Sequence, residues 1–194
     1  MSSPDAHSPK LTGALVSLGH MIQRYSTYGM STDGSAVVLA PMPWVAPKAR
    51  AFWIYEPLMP AQIPSGCPLV YRTVLTQMNG CFAFDLSLYG VPSPNGLLNR
   101  STLRPLSLVS ANQHWRRGFV GGENLFHFGS GPFSESENVG YFFDGEEIVA
   151  LRKHRVETGR WSSFENFLTA ELSRAEQVAL SKASAQAVWR ESGA

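Results

Sequence analysis

The sequence predicts an α+β domain: one largely antiparallel or mixed sheet flanked by helices. Three observations carry that expectation. Apolar residues recur at helical steps in Leu11-Leu15-Leu18-Ile22-Tyr25, in Tyr71-Val74-Leu75-Met78 and in Phe164-Phe167-Leu168-Leu172-Ala175-Val178, the mark of helices with one buried face. Between the last two lie Leu125–Phe128, Val139–Phe143 and Ile148–Leu151, short β-prone runs bounded by turn residues. This order lacks the one-for-one alternation of strand and helix that builds a doubly wound sheet.

Taken in order, residues 1–10 read as a flexible arm. Residues 11–50 form an N-terminal extension of helix and strand. Gly29 and Asp33-Gly34 end the helix, Ala36–Leu39 is the strand, and Pro41 to Pro47 is an extended connector. The main domain spans 51–180 and opens with a strand at Phe52–Tyr55. Four prolines between Pro57 and Pro68 leave room for one helical turn at most. The helix carrying Tyr71 should stop at Asn79-Gly80, since both residues tolerate the left-handed conformation. Residues 82–90 return as one strand, and Val91 to Asn99 is loop. Asp144-Gly145 signals a hairpin, which Glu146-Glu147 could lengthen. Ser162-x-x-Glu165 is a capping box for the last helix, and residues 181–194 are its tail.

At 194 residues the chain can bury roughly 70% of the surface its unfolded form exposes, without staples. A hydrophobic fraction of 44% and a charged fraction of 16% mark a folded chain. A net charge of +1 argues against a dedicated nucleic-acid binder. The start lacks the basic and apolar regions of a secretion signal. The most apolar stretch, Ala36 to Pro47, is too short to span a membrane, so the expected location is the cytoplasm. Cys67 and Cys81 are too few for a disulfide scaffold and read as reduced thiols ahead of a single bridge.

Motifs for chemistry are thin. The five histidines are scattered, so neither a metal site nor a cofactor is expected. His127, between Phe126 and Phe128 in a strand, should point away from them and lie at the surface or an edge. Gly129-Ser130-Gly131 resembles a phosphate-cradling turn, but Pro132 and acidic residues follow where a lysine and helix should be. It reads as a hairpin turn. Asp85, Asp144 and His127 are the residues to suspect if the chain is an enzyme. No pattern joins them, and a non-enzymatic protein is the expectation.

Charge patterning says more. Glu123, Glu135, Glu137, Asp144, Glu146 and Glu147 lie between residues 121 and 147 with no lysine or arginine among them. Arg100, Arg104, Arg116 and Arg117 lie just upstream, in a stretch without acids. Ordinary solvated loops account for this pattern. The functional alternative is an acidic face that docks a basic partner protein, with Glu135, Glu137, Glu146 and Glu147 as its contact residues. On a strand, adjacent Glu146 and Glu147 would face opposite ways, which is wrong for a catalytic pair.

The order of short motifs resembles the SUKH superfamily (the Smi/Knr family), which includes bacterial toxin-immunity proteins and a fungal cell-wall synthesis regulator. The residues are Tyr71-Arg72-x-x-Leu75-x-x-x-Asn79-Gly80, Leu88-Tyr89-Gly90, Phe128-Gly129-Ser130, Gly140-Tyr141-Phe142-Phe143-Asp144 and Trp161-x-x-Phe164-x-x-Phe167-Leu168. Each motif is short; their order and spacing across residues 55 to 175 make the resemblance. It departs from the family in placing Pro68 before Leu69, in the shortened segment at Pro60–Ile63, and in residues 1–50, which it does not cover. It implies a shared framework with a variable binding surface. The function implied is an immunity protein that binds a toxin domain, or alternatively an intracellular scaffold.

Overall fold

The computed structural model describes residues 13, 15, 16, 18, 52–54, 57–92, 106–118, 124–134 and 137–192. The expected strand at Ala36–Leu39, the connector after it and most of the 91–99 loop lie outside these residues. Of the first predicted helix, Leu15 and Leu18 are described as helical, and Leu18 is buried.

The strands are β1 (Phe52–Ile54), β2 (Cys81–Ala83), β3 (Leu86–Leu88), β4 (Phe126–Ser134), β5 (Glu137–Asp144), β6 (Glu147–Arg152) and β7 (Val156–Trp161). They pair in chain order as a seven-stranded antiparallel meander. Among the residues described from 52 onward, the α-helices are α1 (Leu69–Leu75), α2 (Leu108–Gln113) and α3 (Phe164–Ser192). The α+β class is the one the sequence predicts.

Hairpin chemistry explains much of the meander. At β5–β6 the register Asp144↔Glu147 leaves a two-residue turn. Gly145 takes φ +64° there, so the glutamates do not lengthen it. The single strand expected over 82–90 is instead two strands, folded at Phe84-Asp85 by the pairing Ala83↔Leu86. Phe84 holds φ +56°, a conformation costing a non-glycine residue roughly 1–2 kcal/mol. Tertiary contacts offset that cost: Phe84 packs on the core, and the Asp85 carboxylate takes two bonds from Arg174 on α3.

Side-chain alternation divides the sheet into two faces. Tyr141 and Phe143 of β5, with Ile148 and Ala150 of β6, join the main core beside Phe128, Phe164, Phe167, Leu168 and Leu172. Phe142, Val149 and Leu151 point the other way and form a second apolar cluster with Leu125. Residues of both faces are buried here, from Ile148 through Leu151. At about 1.5–3 kcal/mol per fully buried large side chain, the rings of Tyr71, Phe128, Phe164 and Phe167 dominate the interior.

Three local expectations are corrected. α1 ends at Leu75 with Thr76 as its cap. Asn79 then braces the chain, donating to Val91 O at 2.8 Å and accepting from Val91 N at 2.6 Å. Gly129-Ser130-Gly131 is no turn but the middle of β4. Gly129 is needed because a Cβ would stand 2.7 Å from Ser87 O. At α3 the cap is Ser163, whose Oγ accepts from Asn166 N at 3.2 Å, one residue later than the expected box. The helix backbone then continues to Ser192, so no break separates the tail.

Candidate interaction surface

Of the four glutamates expected to form one docking face, Glu146 and Glu147 are adjacent at the β5–β6 turn. Glu135 lies outside the described residues. The Glu137 backbone starts β5, paired with Ser134, while Glu146 and Glu147 sit at the strand's other end. Seven residue steps along β5 make that separation roughly 23 Å. What remains is a smaller acidic group at the β5–β6 turn.

That group is built by cross-strand register. Val149 pairs with Arg160 of β7, and Asp144 with Glu147, so their side chains emerge on the face opposite α3. Arg160 bonds Asp144 Oδ2 at 3.2 Å, Glu147 Oε2 at 2.6 Å and both oxygens of Glu157 at 3.0 and 2.9 Å. These bonds, the Glu157 one first, hold the guanidinium charged well above its ordinary range. The Arg160 bond likewise lowers the Glu157 carboxyl. The acidic segment that reads as free of cations in sequence is thus partly neutralised by a cation from the neighbouring strand. Beside the cluster is an open groove of about 300 Å³, lined by Leu125, Val149, Leu151, Asn124, Arg155 and the charged residues Asp144, Glu157 and Arg160.

The residues suspected for catalysis are held apart. Asp85 sits on the α3 side, bonded to Arg174. Asp144 is on the opposite face with Arg160. His127 is not at the surface or an edge: it is 1% exposed, stacked on Phe142 at 4.3 Å and edge-on to Tyr89 at 5.1 Å. It does point away from Phe128, but that face is roofed by α2. Burial lowers its pKa to about 4, against the opposing effect of backbone bonds at Ala111 and Gly129. Cys67 and Cys81 are free and buried, and desolvation pushes each thiol up to about 12. A raised thiol pKa disfavours the nucleophilic thiolate.

Two load points on the α3 side escape a linear reading. Tyr71 is fully buried in α1, and its hydroxyl bonds Tyr89 O at 2.6 Å and Phe128 O at 3.1 Å. Glu171 of α3 is 5% exposed, accepting from the Tyr141 hydroxyl and, at 2.9 Å, from Arg174 Nε. Arg174 then reaches Asp85 at 2.8 and 3.1 Å, tying the last helix to the β2–β3 turn. The signal was present: Glu171 falls four residues after Phe167 and three after Leu168, within the apolar stripe.

Among the described residues, no three His, Cys, Asp or Glu side chains gather as a metal site, and no helix is long and apolar enough to cross a membrane. Comparison with protein-family models, curated proteins and solved structures finds no match to this chain.

Proposed function

We propose that this chain is a protein-binding domain of SUKH type, acting in the cytoplasm as an immunity protein that occludes a toxin domain. One observation carries most of the support. The Tyr71 hydroxyl bonds the carbonyls of Tyr89 and Phe128, so three of the sequence motifs that resemble the family meet at one buried atom. The Trp161-Phe164-Phe167-Leu168 motif packs on the same core. A set of short motifs used up in holding the interior together fits a family in which the framework is shared and the exposed surface chooses the partner.

On this reading the contact residues lie outside the motifs or at their ends. Glu146, Glu147 and Asp144 at the β5–β6 turn are exposed, and their negative charge would steer a basic partner and reject acidic ones. The chain itself performs no chemistry; it neutralises by covering. Affinity capture of the tagged chain from its source cells, read by mass spectrometry, tests the proposal. A stoichiometric partner carrying an enzymatic toxin domain is expected. A collection of housekeeping proteins would favour the scaffold function, and capture of no protein would count against both.

A further inference from the structure

Among the described strands β7 lies at the end of the sheet and pairs only with β6. We infer that its outer edge pairs antiparallel with the same edge of a second copy of this chain, joining two sheets across a two-fold axis. This goes beyond the proposed function and concerns the chain alone.

A strand edge presents a row of main-chain donors and acceptors, a template for one more strand. β7 has six residues and no proline, and Val156, Glu157 and Thr158 are exposed, Val156 at 54%. Its irregularity is tied inward. Glu157 pairs with Leu151 and Gly159 with Ala150, so Thr158 is an extra residue, and its hydroxyl donates to Ala150 O at 3.3 Å. Six residues a side fall short of the roughly 20–30 of a standard interface, so the dimer forms only at high protein concentration.

Charge selects the second copy as the strand that fits. The β5–β6 turn exposes Asp144, Glu146 and Glu147, and the β6–β7 turn exposes Arg152, Lys153 and Arg155. The length of β6 between Glu147 and Arg152 keeps the two turns roughly 17 Å apart within one copy. In the basic turn His154 and Arg155 hold φ +62° and +66°, so cations stand where glycine would avoid roughly 1–2 kcal/mol of strain per residue.

Antiparallel pairing about a two-fold axis reverses the second copy, so its basic turn lies at the acidic end of the first, twice over. Such symmetry makes one residue face itself, and the middle of β7 offers Thr158 or Gly159. In either register Glu157 faces Gly159 or Trp161, and Arg160 faces Val156 or Thr158, so no like charges oppose. Glu147 lies one step beyond the Ile148↔Trp161 pair. It is then level, within about one residue, with the second copy's Arg155, two strand spacings or roughly 10 Å away. The two long side chains span that gap. A parallel copy would instead set acid beside acid and base beside base. A basic partner protein would compete with the second copy for the acidic turn.

The test is sedimentation equilibrium of the full chain from micromolar to millimolar concentration, at low and high salt. A monomer–dimer equilibrium is expected, weakened at least tenfold by high salt, with amide exchange in Val156–Trp161 slowing as the dimer fills. Glu146→Lys with Glu147→Lys, and separately Lys153→Glu with Arg155→Glu, should each be monomeric where the unsubstituted chain is half dimeric. An unchanged Tm checks that both variants fold. An equimolar mixture of the two should dimerise again, because each then supplies the charge that the other faces. A monomer over the whole range, variants that dimerise like the unsubstituted chain, a mixture that stays monomeric, or assemblies larger than two copies would each overturn the inference. A monomeric chain would leave the proposed function standing, and failure of partner capture would leave the dimer standing.

Discussion

Asn112 clasps the main chain of His127 from both sides, its Oδ1 accepting from His127 N at 2.9 Å and its Nδ2 donating to His127 O at 2.8 Å. The same amide bonds Leu108 O at 2.9 Å. A single side chain thus seats α2 on β4 and closes the second apolar layer over the His127 imidazole.

Acid should loosen that layer. The folded pKa of His127 is lowered to about 4, so between its unfolded value near 6.5 and 4 the unfolded chain binds more protons. The stabilisation is complete above pH 6.5 and is lost as pH falls through about 4, with about 2–3 kcal/mol gone by pH 4.5. Tyr89 packs against the ring and the charge of Arg116 opposes its protonation. His127→Phe keeps the stack on Phe142 and removes the titration. Urea unfolding at pH 7 and 4.5 should show a smaller drop for the variant by that amount.

Tyr71→Phe keeps the ring contacts with Phe128, Phe143 and Phe164 and deletes the hydroxyl. Phe128 O still accepts from Tyr89 N at 2.8 Å, so the loss falls on Tyr89 O. Leaving a buried acceptor unsatisfied costs about 1–3 kcal/mol, readable as a lower urea midpoint with an unchanged slope.

Arg174→Ala removes the shared partner of Asp85 and Glu171. Breaking a fully buried ion pair costs about 3–5 kcal/mol. Here the Arg174 and Asp85 side chains are 30% and 23% exposed, so solvent screening reduces the expected loss to about 2 kcal/mol. Adding Asp85→Asn should cost less than the sum of the two single changes, a non-additivity that a double-mutant cycle measures.

Gly129→Ala drives a Cβ to within 2.7 Å of the Ser87 carbonyl across the β3–β4 ladder. Main chain on a paired strand yields less readily than a side-chain tip. The substitution should cost upwards of about 2 kcal/mol, seen as a lower Tm.

Features fixed by local chemistry were legible in the sequence. Asp144-Gly145 gives away its hairpin because glycine is needed at φ +64°, and the α3 stripe declares itself by period alone. The Phe84-Asp85 turn carries no such label, since the strain there is offset by Arg174, 89 residues away in sequence. Period two correctly sent His127 to the face opposite Phe128. It could not report that α2 covers that face, because α2 is six residues long and held by an Asn112–backbone clasp. The acidic surface was legible only in part: Asp144, Glu146 and Glu147 are exposed at the β5–β6 turn, but their counter-charge, Arg160, arrives by pairing of β7, a strand the periodicity did not flag.

The proposed function is the covering of a partner protein. The most direct measurement is the enzymatic activity of the captured partner, titrated with the purified full chain. A linear fall to near zero at one equivalent is expected. Activity that stays undiminished when the partner is saturated would contradict it.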